Sequence, residues 1–121
     1  MEASRQDFEQ LVADALDGLP PHLGGLMDNV VVMVEDWPSE EQLEGVNGTL
    51  LGLYQGVALT SRSPLNYVGA MPDRIFIFRG PICERSPNAE ALVTMVQRTV
   101  IHEVAHHFGI SDARLHELGW G

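Results

Sequence analysis

Lysine is missing from this chain: its 121 residues carry seven cations, all arginine, against 17 acids. Eleven of those acids fall in residues 1–50, where Arg5 is the sole counter-charge. So acidic a half repels phosphate backbones, which argues against nucleic acids and anionic membranes as partners. Its plain consequence is solubility, and its sharper one is a preference for cationic peptides. Cys83 is the single cysteine, so no internal disulfide can form. No apolar run reaches 18 residues, which excludes a membrane-spanning helix. The first residues, Met1 to Asp7, hold no basic stretch leading into an apolar one, so no signal peptide is expected. Together with the lone thiol, this favours a reducing cytoplasm. There is no internal repeat and no low-complexity tract. The length suits one domain over residues 1–121 with one hydrophobic core.

The remaining pattern is periodic. Phe8, Leu11, Val12, Ala15 and Leu16 recur at helical spacing, predicting a helix over residues 5–17 with Ser4 as N-cap and a stop at Gly18 and Pro20–Pro21. The β-branched run at 29–36 reads as a buried strand closed by Trp37–Pro38. Residues 39–48 suggest a short helix or loop. Residues 50–60 read as a strand interrupted by Gly52 and Gly56, which often mark a bulge or a close backbone approach. After a polar loop at 61–73, Arg74–Arg79 is a further strand, stopped by Gly80–Pro81. Ser86–Pro87–Asn88 then offers a cap and a first-turn proline for a helix from about Pro87 to Phe108. Its buried spiral holds Leu92, Met95, Val96, Thr99, Val100 and Glu103, with Val93 and Val104 widening the apolar face. Gly109 fits the left-handed position past the helix end, and Ser111 opens a last short helix ending near Leu118. The fold class is α+β: a small sheet of about three strands, packed with an N-terminal helix, a long active-site helix and a short C-terminal helix.

The chemistry concentrates between His102 and Asp112, which read H-E-V-A-H-H-F-G-I-S-D. The string contains H-E-x-x-H, the helical zinc-binding signature of metallopeptidases. On a helix, positions i and i+4 lie about 40° apart and roughly 6 Å along the axis. His102 and His106 can therefore aim two imidazoles at one ion, with Zn–N near ~2.0–2.1 Å. Glu103 is rotated about 100° from His102. It flanks the ion without ligating it, where a carboxylate can take a proton from an activated water. His107 points about 140° from His102, which suits packing or support of the site. Gly109 turns the chain where a third ligand would return; Asp112 is the candidate to supply it, with His116 the alternative if the last helix folds back.

The stretch resembles the zincin clan in its glycine-bearing form, H-E-x-x-H-x-x-G-x-x-[HD], as in metzincin-like peptidases. The aspartate variant resembles the snapalysin type. A closer likeness is to a family of short bacterial zincin-like metallopeptidases, similar in size, in element order and in the H-E-V-A-H-H-F-G-x-x-D string. The specific match runs from Val100 to Trp120. It implies a minimal zincin-like domain with Zn2+ held by His102, His106 and Asp112, Glu103 as general base and Gly109 as the turn. No methionine follows Met95, so the methionine turn of larger metzincins has no counterpart, and the lower half of the cleft is expected to be reduced. The expected function is zinc-dependent hydrolysis of peptide bonds through a metal-activated water, with a peptide or protein as partner.

Three rivals follow from the same residues. A zinc-stabilised binding module or peptidase relic would keep the ligands and cleave nothing. Metal-dependent RNA hydrolases use H-x-x-x-H with a histidine at +10, but here the glutamate is present, the third ligand reads Asp and the charge is acidic. Peptide deformylases combine a cysteine with H-E-x-x-H, but Pro81–Ile82–Cys83–Glu84 does not resemble their cysteine motif, and a buried inert thiol fits better. Tyr54 and Tyr67 are candidate oxyanion donors with a structural role as the plainer reading. Trp37 and Trp120 read as core or subdomain anchors, and Arg114 and Glu117 as solvated helix faces.

Overall fold

Ser4 accepts a hydrogen bond from the Asp7 N–H at 3.1 Å and starts helix α1, Arg5–Asp17. The computed structural model describes residues 1–19, 30–56 and 73–110, together with Ala113 and Glu117. Within them follow strand β1 (Val30–Glu35), β2 (Gly52–Gln55), β3 (Asp73–Phe78), helix α2 (Arg79–Glu84) and helix α3 (Ala89–His107). The sheet order is β1-β3-β2, with β1 parallel and β2 antiparallel to β3. Ala113 and Glu117 are helical and exposed; the other residues of the expected C-terminal helix lie outside the described ones. None of the described helices is long and apolar enough to cross a membrane.

Strand alternation sorts the sheet into two faces. The register puts Val32, Ile75 and Tyr54 in one cross-strand row, and Val34, Ile77 and Gly52 in the next. This face meets α3 through Leu92, Val96, Val100 and Val104, and α1 closes the cluster with Phe8, Val12 and Ala15. On the opposite face Phe76 and Phe78 stack with centroids 6.4 Å apart. Burying these aliphatic and aromatic side chains stabilises the fold by about 1.5–3 kcal/mol each.

The structure corrects three local expectations. β1 is not a buried strand: it lies at one side of the sheet, and Val31 and Met33 face outward, 43% and 39% exposed. The strand does stop before Gly80–Pro81 as expected, and both residues then sit in the first turn of α2, where proline's missing N–H costs nothing. Pro87 is not in the long helix. Asn88 caps it, accepting from the Ala91 N–H at 2.8 Å, while the buried Ser86 hydroxyl donates back to Ile82 O. Trp37 is 54% exposed and anchors by covering Gly80, and Val93 is likewise outside the core. Residues 39–46 form turns opened by a reciprocal cap, Ser39 N–H to Gln42 Oε1 at 2.8 Å and Gln42 N–H to Ser39 Oγ at 3.2 Å.

Candidate metal centre

Helix α3 runs along β2, and the two elements approach closely. Thr99 and Glu103 stand over Gly52. A methyl group built on that glycine would lie 2.8 Å from Thr99 Cγ2 and 2.9 Å from Glu103 Cγ. The expectation of a close backbone approach at Gly52 therefore holds, and it has a consequence. Without a side chain there, the strand admits the Glu103 carboxyl against it, and the Tyr54 N–H donates to that carboxyl.

Two further residues join Glu103 on the helix. His102 and His106 have ring centroids 4.7 Å apart, nearly perpendicular, and His106 Nδ1 is 3.2 Å from Glu103 Oε1. One ligand atom from each of the three lies within 4.8 Å of the others. The imidazoles are part-exposed, whereas Glu103 is only 6% exposed. Burial pushes the Glu103 carboxyl above the ordinary glutamate range; His106, His102 and the Tyr54 N–H act against this without cancelling it. Two nitrogen donors facing one open groove, with a carboxylate beside them, are a donor set suited to zinc. Asp112 and His116, the two candidates for a third ligand, lie outside the described residues, as do Tyr67 and Trp120.

The groove has a volume of about 450 Å³. One wall is Thr49–Tyr54, and the other is the helix stripe Met95, Arg98, Thr99, His102, Glu103 and His106. Cys83 is buried elsewhere, beside Met1 and Trp37. It is not part of this centre, which removes the deformylase-like arrangement.

Beneath the groove, the next turn of α3 is tied to the sheet. His107 is 1% exposed, and its Nδ1–H donates to Asp73 Oδ2 at 2.8 Å. The same carboxylate oxygen accepts the Tyr54 hydroxyl at 2.8 Å. Tyr54 therefore contacts Glu103 through its backbone and Asp73 through its side chain. Its hydroxyl has a structural role, as the plainer reading held. His107 Nε2 has no hydrogen-bond partner among the described residues; with the proton on Nδ1 the unmatched atom is an acceptor. Asp73 was not legible in the sequence, where it is one polar residue at the end of a loop. Past His107, Phe108 is the C-cap and Gly109 adopts φ 73°. The Gly109 N–H bonds to His106 O at 3.0 Å and the Ile110 N–H to Ala105 O at 2.9 Å, a Schellman closure that turns the chain as expected.

A family profile described as Zincin-like metallopeptidase matches residues 27–120. The chain belongs to that family. Among solved structures it is similar to a conserved hypothetical protein from Thermus thermophilus, with 24% sequence identity, a TM-score of 0.60, and coverage of 88% of this chain and 94% of the other. That likeness concerns the fold. No protein of curated function matches the sequence.

Proposed function

We propose that the protein is a zinc-dependent peptidase in which His102, His106 and Asp112 hold the metal and Glu103 is the general base. The observation that carries this reading is the meeting of two imidazoles and one buried, raised-pKa carboxyl in a groove beside a sheet edge. Zinc, when bound, would polarise a substrate carbonyl and lower the pKa of water from 15.7 toward about 7. The chain's own residues do the rest. The Thr49–Tyr54 wall holds an extended peptide by backbone pairing, since β2 pairs with β3 along one side. Glu103 accepts the proton of the attacking water and returns it to the leaving amine. Its low exposure keeps it from being levelled by bulk solvent, and the Tyr54 N–H holds one carboxyl face in place. The single cysteine suits a reducing, cytoplasmic setting.

The test is Glu103→Gln in zinc-loaded protein, assayed on a peptide library with metal content measured in parallel. Zinc retained and cleavage lost by at least about 100-fold supports the assignment. Unchanged turnover excludes Glu103 as the base. Zinc retained in a wild type that cleaves nothing would favour a zinc-stabilised binding module.

A further inference from the structure

Arg98 lies on the same helix stripe as the metal centre, one turn before His102, in the groove wall. The other described arginines are placed differently. Arg5 and Arg79 pair with Asp36, Arg85 donates to Pro81 O within its own helix, and Arg74 shares a cavity with Glu35 and Glu41. Arg98 is exposed and has no hydrogen bond or ion pair among the described residues. Among the described residues, Glu103 is the only acid that lines its groove. A second cavity, about 370 Å³, continues the groove toward Asn88 and shares Met95 and Arg98 with the first, so the guanidinium stands at the junction. Glu90 also lines that second cavity, about two helical turns before Arg98.

We propose that Arg98 forms a subsite for a carboxylate of the substrate, either an acidic side chain or a free C-terminus. The inference rests on the peptidase reading and deepens it. The geometry sets the position. Four residues of helix span about 6 Å, an arginine side chain extends farther toward the helix N-terminus, and an extended peptide rises ~3.3 Å per residue. Arg98 therefore meets a group two or three residues from the bond under attack. If the peptide pairs antiparallel to β2, the commoner arrangement, that group lies on the C-terminal side of the bond. Met95 and Leu51 flank it with apolar surface, which strengthens the guanidinium–carboxylate contact relative to open water.

The experiment compares hexapeptides that differ only by Glu or Gln at that position, each with a free or amidated C-terminus. Zinc-loaded wild type should cleave the carboxylate-bearing members about tenfold faster in kcat/KM, chiefly through KM, with the preference shrinking as salt rises. The Glu/Gln pair and the acid/amide pair separate the two sources of carboxylate. Arg98→Gln should erase the preference and Arg98→Glu should reverse it, favouring the uncharged Gln or amide member of each pair, both with unchanged thermal midpoints. Binding of dansylated versions of these peptides to the Glu103→Gln protein gives a readout independent of cleavage. A carboxylate preference in binding, with a wild type that cleaves nothing, keeps the subsite and removes the peptidase reading. Equal kcat/KM and equal binding for all four peptides, or a preference that survives Arg98→Gln, overturns the subsite.

Discussion

Gly52 carries no side chain because Thr99 and Glu103 occupy the place where one would stand. Gly52→Ala should therefore cost about 1–3 kcal/mol and displace the Glu103 carboxyl, so the denaturant midpoint and the peptidase activity proposed above should fall together. Glu103 itself has a pH signature. Its folded pKa is raised mainly by burial and exceeds its unfolded value. Its contribution to stability is then fully present below the unfolded pKa and is lost as pH rises through the folded pKa. Metal-free wild type should lose stability relative to Glu103→Gln as pH rises above the ordinary glutamate range, measured by denaturation at each pH. Added zinc should pull the Glu103 pKa down, because a nearby cation favours the carboxylate; side-chain carboxyl NMR titration with and without the metal reads that shift. A Glu103 pKa unmoved by zinc would place the ion elsewhere.

At the scale of elements, α3 is held at both ends by devices that a sequence announces unequally. Its end is a glycine in the left-handed region, which the sequence shows directly, whereas its start is the Asn88 side-chain cap, displaced from the start that Ser86–Pro87 suggested. Asn88→Ala should cost about 1 kcal/mol, and Gly109→Ala about 1–2 kcal/mol, each seen as a lowered unfolding midpoint. The tie between His107 and Asp73 spans 34 positions and no local rule predicts it. Asp73→Ala would leave a buried imidazole and the Tyr54 hydroxyl without their acceptor, at a cost of roughly 2–4 kcal/mol, larger than the loss of either helix cap. The same contrast separates the legible from the illegible elsewhere. α1, the spiral of α3, the three strands and the H-E-x-x-H cluster follow from periodicity and spacing. The exposed side of β1 depends on which face finds a partner, and α2 depends on proline being harmless in a first turn, and neither is written in hydrophobic pattern alone.

For the whole molecule, the fold places one long helix against the three-stranded sheet of the described residues so that its His102–Glu103–His106 face, the candidate metal site, lines a groove and its next turn is buried. A metal that binds the folded chain and not the unfolded one adds stability by mass action, about 2.7 kcal/mol at a hundred times its dissociation constant. Chelation should thus lower the thermal midpoint of wild type while leaving a His102→Ala, His106→Ala double variant unaffected. The central claim, that these two imidazoles grip a single ion, is tested most directly by calorimetric titration of zinc into the metal-free protein. One equivalent bound by wild type and by Glu103→Gln, with at least about a hundredfold loss of affinity in either single histidine-to-alanine variant, is the result this account requires. Zinc bound equally well after either histidine is removed would contradict it.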